Sequence, residues 1–114
     1  MFIEYNRVIK SNITSEYVLI YTCTKNRAVI NNCKVSLLYE KDRTYKGSLK
    51  IKNSENQSLV CTKYITEKNY AVNLLEDGEV LHLAKDDEVY ARVTPTASMD
   101  LYMTVGVLDD EKRW

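Results

Sequence analysis

The sequence contains little glycine, proline or histidine, and these shortages argue against several kinds of site. It has three glycines, none of them in a GxGxxG, GxxxxGK[ST] or GxSxG arrangement, so a phosphate-cradling loop or a nucleophile elbow is not expected. It has one histidine and three cysteines without a CxxC spacing, which leaves no zinc pattern. We therefore predict no cofactor site and no metal site.

The chain also lacks an excess of either charge and any long apolar run. Lysine and arginine number 16, as do aspartate and glutamate, whereas nucleic-acid binders usually carry a basic excess. We expect no nucleic-acid partner. The N-terminal segment MFIEYNRVIK has no signal-peptide core, and apolar runs of only a few residues predict no membrane span. Without signs of secretion, the cysteines are expected to be buried free thiols.

Helical periodicity is almost absent, whereas alternation of apolar and polar residues is abundant. Nine tyrosines and many β-branched residues also favour strands. The 114 residues suit one domain, and strands without intervening helices predict an all-β fold, a single antiparallel β-sandwich of jelly-roll or immunoglobulin-like type. Eight or nine short strands are expected, from the segments 2–9, 16–23, 27–40, 47–52, 58–65, 70–75, 79–84, 87–94 and 100–108.

Polar residues and turn dipeptides divide these segments. Residues 11–15 and the charged stretch 41–46 are predicted turns, and Asp77-Gly78 is a dipeptide of the kind that closes hairpins. In the segment 27–40, Asn31 and Asn32 interrupt an alternation that would place Val29 and Cys33 on one face. They predict a β-bulge or a point where the strand changes sheet.

His82 is the obvious candidate for catalysis. It lies in EVLHLAK, where alternation places it on a sheet face between Leu81 and Leu83. A general base needs a hydrogen-bonding partner and a cleft, and the nearby acidic residues lie in turns. Cys23 and Cys61 lie mid-strand among apolar residues, without the surroundings that activate a nucleophilic thiol. We favour a structural role for His82 and predict no catalytic residue.

Acidic residues cluster in the turns on either side of His82. The carboxylates of Asp77, Glu79, Asp86 and Asp87 are suitable calcium ligands, but no segment matches a calcium-loop pattern. Acidic residues are common in turns because they form local hydrogen bonds. We interpret these residues as solvated turns.

The tyrosines allow three interpretations, which the sequence leaves open. They pack within or on the sandwich, fill an interface between subunits, or stack against a sugar. Packing is the simplest interpretation. The candidates are Tyr17, Tyr64, Tyr70, Tyr90 and Tyr102.

The order of the segments resembles that of a known group of proteins. The pieces that carry the likeness are Tyr21-Thr22 before a turn, Ala28-Val29-Ile30, Leu74-Leu75, Val80 to Leu83, Asp87, Val89 to Val93, and Leu101 to Leu108. This arrangement resembles small β-sandwich proteins of tailed bacteriophage virions. The chain departs from their pattern at Cys23 to Asn26, where a Pro-Ala-Gly type of turn is usual, and at Asp86, where glycine is usual.

The resemblance implies a non-enzymatic structural role as a capsid decoration, neck or tail accessory protein. Such a protein forms a homo-oligomer, binds a larger phage capsid or tail protein, and is assembled in the bacterial cytoplasm before residing on the virion. From parity and terminal position, we expect the contacts to involve Phe2, Ile3, Tyr5, Tyr90, Tyr102 and Trp114.

Two alternatives belong to other classes of function. A β-sandwich with surface aromatics and turn carboxylates also suits a carbohydrate-binding module for host surface glycans. An enzyme centred on His82 is the third hypothesis. The sequence also leaves open whether the first strand pairs within its own sheet or adds to the edge of a neighbouring molecule.

Overall fold

The computed structural model describes residues 2–38, 44–65, 71–76, 78–95 and 97–109, with only the backbone described at Phe2, Leu38 and Asp109. These residues form strands and connections without a helix, so the described part contains no helix able to cross a membrane. The strands are β1 (Phe2–Ile13), β2 (Val18–Thr22), β3 (Arg27–Leu38), β4 (Tyr45–Lys52), β5 (Ser58–Ile65), β6 (Ala71–Asn73), β7 (Leu81–Ala84), β8 (Glu88–Thr94) and β9 (Ser98–Asp109).

The strands form two antiparallel sheets. In sheet A the order is β1-β9-β3, and both β6 and β7 pair with the far side of β3; in sheet B the order is β2-β8-β4-β5. β6 pairs with Lys34–Ser36 and β7 with Arg27–Ile30, so the two act as pieces of one strand. When β6 and β7 are counted as one strand, the first strand pairs with the last and the second with the next to last. The third strand pairs with the combined β6 and β7, and the fourth pairs with the fifth. This order is a jelly roll, which confirms the predicted all-β sandwich.

Alternation within the strands builds the core between the sheets. β9 turns Leu101, Met103, Val105 and Val107 inward, as predicted, and all four are buried. The facing strand β8 contributes a matching row of buried residues, Val89, Ala91 and Val93. Each fully buried aliphatic side chain of this kind stabilises the fold by about 1.5–3 kcal/mol.

A β-bulge in β3 corrects the predicted face of one residue. Opposite β9, Ile30 pairs with Val105 and Asn32 with Thr104, so Asn31 is the extra residue. This confirms the bulge. Because an extra residue reverses the parity, Ile30 is buried before it and Cys33 after it. Val29 therefore lies on the outer face, and its predicted place beside Cys33 is wrong.

Two predicted turns overlap strands. β1 extends into the predicted turn at 11–15 and ends at Ile13. The strand is irregular at Asn12, where φ is 60°, and Ile13 is then buried and pairs with Met99. The predicted turn at 41–46 overlaps β4, because Tyr45 is buried and opens that strand. Residues 41–43 lie outside the described part.

The segment 74–94 contains two strands, as predicted, but they lie in different sheets. A turn precedes them, in which the Glu79 amide donates to the Glu76 carbonyl at 2.9 Å and Gly78 has φ of 77°. It closes no hairpin, because β6 and β7 pair with β3 rather than with each other. The turn at Lys85–Asp87 then leads from sheet A into sheet B.

Candidate interaction surfaces

The outer face of sheet A carries exposed apolar side chains along β1 and β9. Ile3 is 51% exposed, Tyr5 64%, Ile9 66% and Tyr102 38%. The register aligns them, since Tyr5 lies opposite Gly106 and Ile9 opposite Tyr102. We call these four side chains the apolar face. Large apolar side chains grouped on a surface are typical of a binding surface rather than of scattered exposure.

Gly106 forms the floor at one end of the apolar face. A Cβ added there would lie 3.3 Å from Tyr5 Cε1 and 3.4 Å from Ile3 Cγ2, so the missing side chain lets both residues lie against β9. A depression of about 100 Å³ results. Its walls include Val29 and Asn31, which the β3 bulge places outward.

A second depression lies at the other end of the apolar face. It measures about 240 Å³ and is bordered by Ile9 and Tyr102 together with Lys34 and Asp100. A depression with apolar walls and charged groups at its rim suits a side chain inserted from another protein. That side chain would be buried against the walls while polar groups around it contact the rim.

β1 is an edge strand, which is hydrogen-bonded to a neighbouring strand, β9, on one side only. It ends sheet A, and its inward-facing side chains Glu4 and Asn6 are exposed, as are Tyr5 and Arg7 on the outer side. Both faces of this stretch are therefore open to solvent among the described residues. The first strand thus pairs in its own sheet while leaving a free edge.

Part of the outer face of sheet B is built differently, because cations lie beside the rings of Tyr17 and Tyr90. Lys50 Nζ lies 4.5 Å from the centroid of Tyr17 and 5.3 Å from that of Tyr90, and Arg92 Cζ lies 4.4 Å from the Tyr17 centroid. We call these four residues the cation–tyrosine cluster. Neither cation has a carboxylate within salt-bridge distance among the described residues, and Arg92 Nε is buried without a hydrogen-bond partner.

Tyr90 is anchored further by its hydroxyl group. It donates a hydrogen bond to Glu88 Oε1 at 2.9 Å, and this bond raises the pKa of Tyr90 above its usual value. The Tyr90 ring lies beside Lys50 and its hydroxyl is hydrogen-bonded to Glu88, so both parts of the side chain contact residues of its own sheet. We therefore interpret the cation–tyrosine cluster as intramolecular packing.

His82 lies on an exposed face of β7 between the buried Leu81 and Leu83, as predicted. It borders a groove of about 360 Å³ between β7 and the β4–β5 turn, which we call the edge groove. The described residues give His82 no hydrogen-bonded acid, and the nearby Asp87 carboxylate accepts from the Ala84 amide at 2.9 Å. The edge groove is lined by Ile51, Asn53, Gln57, Ser58, Leu59, Val80, Leu81, His82 and Asp87.

The acidic turns are used for local hydrogen bonds. Besides Asp87, Glu79 Oε1 accepts from the Glu76 amide at 3.3 Å. No group of three potential metal ligands occurs within the part of the chain that the structure describes, which omits Asp77.

The three cysteines are free thiols, and burial raises the pKa of each. Cys33, on the central strand β3, is fully buried and has its pKa raised to about 12. Cys61 is only half-buried because it lies on the edge strand β5. A protonated thiol is a poor nucleophile, so these surroundings oppose catalysis by any of the three.

The structure divides the six predicted contact residues. Ile3, Tyr5 and Tyr102 share the apolar face, whereas Tyr90 lies on the opposite side of the sandwich in sheet B. The side chain of Phe2 and the whole of Trp114 lie outside the described residues. Sequence reasoning missed Ile9, although it shares its parity with Ile3 and Tyr5.

The chain matches no protein-family model, and no curated protein is significantly similar to it.

Proposed function

We propose that this chain is a non-enzymatic structural protein of a tailed bacteriophage virion, acting as a capsid decoration, neck or tail accessory protein. The apolar face carries the proposal, because it is an exposed surface of large side chains on a rigid strand pair. Its partners are other copies of the chain and a larger capsid or tail protein. Assembly takes place in the bacterial cytoplasm, where free thiols are stable.

Three further considerations support this function. Jelly rolls include viral capsid domains, although they also include lectins, and a fold by itself does not determine function. The virion assignment itself rests on the resemblance in segment order to small tailed-phage proteins. The described residues combine no nucleophile, base and orienting group of the kind that catalysis requires.

The test uses particles of the phage that carries the coding sequence. Mass spectrometry of purified particles is expected to find the chain in a fixed ratio to the major capsid or tail protein. Replacing Ile3, Tyr5, Ile9 and Tyr102 together by serine is expected to remove it from particles while the isolated variant stays folded. The absence of the wild-type chain from particles, or normal incorporation of the variant, would contradict the proposal.

The edge groove favours glycan binding as a second candidate function. It combines the amides of Asn53 and Gln57 with His82 and with apolar rims at Leu59 and Val80. Such a mixture suits a sugar, whose hydroxyl groups and ring faces need both kinds of contact. Saturable binding on a glycan array that a free sugar reverses and His82→Ala abolishes would establish it. No binding on the array would remove it.

A further inference from the structure

β1 is the longest strand at a sheet edge in the described part of the chain. Its register with β9 is unbroken over nine residue pairs from Phe2 to Lys10 and contains no proline. The edge strand β2 has five residues. The remaining long edge, β5, is shorter, with eight residues, and its Lys63 Nζ lies 3.6 Å from Glu76 Oε1 on the segment that follows β6. A long regular edge with exposed apolar side chains is a template for pairing with another strand.

Nothing in the described part of the molecule blocks the approach of such a strand. Glu4 and Asn6 on the inner side and Tyr5 and Arg7 on the outer side are all exposed. The backbone groups on the free side of β1 lie within reach of a second strand, which would add main-chain hydrogen bonds to side-chain contacts.

We propose that a second copy of this chain pairs antiparallel with β1, with Asn6 opposite Asn6 of the other copy. Asn6 is the midpoint of the regular stretch from Phe2 to Lys10, so this register uses the whole of it. It places Ile3 opposite Ile9 of the other copy. These are two of the most exposed apolar side chains on the strand, and each would lose contact with water. The inference rests on the proposed function, since it names the first partner of the apolar face.

Charges favour the same register. Arg7 faces Tyr5 of the other copy, a cation–π pairing, and Glu4 lies diagonal to Lys10 of the other copy. Centring the pair on Arg7 would set two guanidinium groups directly opposite, which is unfavourable. Centring it on Tyr5 would set Ile3 opposite Arg7 of the other copy, which leaves a charge facing an isoleucine.

The two-fold pairing would also enlarge the apolar face. Antiparallel addition joins two copies of sheet A into one continuous sheet, and side chains of the same parity stay on the same side. The two apolar faces then form a single surface across the symmetry axis. A capsid or tail protein binding that surface would gain from two linked contacts rather than one.

Disulfide trapping tests the pairing. Directly opposed residues of an antiparallel pair have Cα atoms about 4.5–5.5 Å apart, within the range of a disulfide. With Asn6→Cys, mild oxidation is expected to link most of the protein as dimers on a non-reducing gel. Wild type controls for the native thiols, and Val60→Cys is the matched variant on the edge strand β5. No linking of Asn6→Cys, or equal linking of Val60→Cys, would overturn the proposal.

A charge exchange tests the register. Ile3→Glu and Ile9→Lys are each expected to weaken dimerisation at least about tenfold, because each leaves a charge facing an isoleucine. Combined in one chain, they place opposite charges across the pair, and the dimer is expected to recover to within about threefold of wild type. Without that recovery the register is wrong.

The outcome is separable from that for the proposed function. A chain that enters phage particles but remains monomeric and unlinked would disprove the strand pairing alone. A chain that dimerises through Asn6 but is absent from particles would disprove the virion role alone.

Discussion

The two outer faces of the sandwich use the same residue type in opposite ways. On sheet A, Tyr5 is 64% exposed over a glycine, and no charged group covers its ring among the described residues. On sheet B, Tyr17 lies against Lys50 and Arg92, at 4.5 and 4.4 Å from its centroid. The Tyr5 ring is open for contact with another molecule, whereas the Tyr17 ring is covered by cations of its own sheet.

The difference shows that the cross-strand neighbours decide what a surface tyrosine does. Tyr90 and Tyr102 both face outward and both look like contact residues in the sequence. Tyr90 pairs across the sheet with Lys50 and is engaged by it, whereas Tyr102 lies opposite Ile9 and extends an apolar surface. Only the second arrangement leaves apolar area for a partner to bury.

The largest expected effect is a loss of stability at high pH, caused by Cys33 in the interior of the sandwich. Because burial raises the pKa of Cys33 from 9.0 to about 12, the folded protein keeps the proton that the unfolded chain releases above pH 9. The thiol's contribution to stability is complete below pH 9 and is lost between pH 9 and 12, by about 1.4 kcal/mol per pH unit. Urea unfolding from pH 8 to 11 should show wild type losing stability faster than Cys33→Ala. If stability fell equally with pH in both proteins, the Cys33 thiol would not be shielded from solvent in the folded state.

The stability cost of replacing a glycine by alanine is expected to differ between the core, at Gly47, and the outer face of sheet A, at Gly106. In Gly47→Ala the new Cβ would lie 3.2 Å from Ile65 Cδ1 and 3.3 Å from Leu74 Cδ2, inside the core, and we expect a cost of about 1–3 kcal/mol. In Gly106→Ala it meets Tyr5 and Ile3, exposed side chains with room to shift toward solvent, so the change should stay within about 0.5 kcal/mol. Equal losses in urea unfolding would mean that the apolar face is packed as tightly as the core.

Removing one tyrosine from each outer face compares them directly. Tyr17→Ala gives up two cation–π contacts, and the free energy of unfolding should fall by about 1–2 kcal/mol. Tyr5→Ala should change it by less than about 0.5 kcal/mol, because its ring is mostly in water. Association should respond in the reverse order, with Tyr5→Ala weakening it and Tyr17→Ala leaving it unchanged. Thermal unfolding and sedimentation on the same samples measure both quantities.

The smallest combined effect on stability and association is expected for Tyr90→Phe. Tyr90→Phe removes the hydrogen bond to Glu88 but keeps the ring beside Lys50, so the loss of stability should be slight, because water replaces the lost partner. Dimerisation should be unaffected. If Tyr90→Phe, or the more severe Tyr90→Ala, weakened association as Tyr5→Ala does, then sheet B would share the interface.

The sequence predicted the strands well where parity was unbroken. The row Leu101, Met103, Val105 and Val107 is buried as the alternation indicates, and the asparagine pair in β3 marks a true bulge. The predicted turn after residue 9 was wrong because polar residues of a solvated edge strand resemble a turn. Ile9 was missed as a contact residue for another reason, since it lay in the predicted first strand and its parity with Tyr5 was visible.

Other features depend on which strands pair, and a single sequence does not contain that information. β8 and β9 are neighbours in the chain but lie in different sheets, so Tyr90 and Tyr102 fall on opposite sides of the molecule. The cation–tyrosine cluster joins residues of β4 and β8 with Tyr17, just before β2, across two strand pairings. No spacing in the sequence brings Lys50 next to Tyr17.

The central claim is that the chain associates through β1 and the apolar face, and light scattering over a range of concentrations tests it most directly. Tyr5→Ala and Tyr64→Ala are matched, since both tyrosines are exposed on edge strands, at 64% and 67%. We predict a wild-type dimer that dissociates on dilution, a monomer for Tyr5→Ala, and a dimer for Tyr64→Ala. A wild-type monomer at every concentration, or loss of the dimer only in Tyr64→Ala, would contradict the claim.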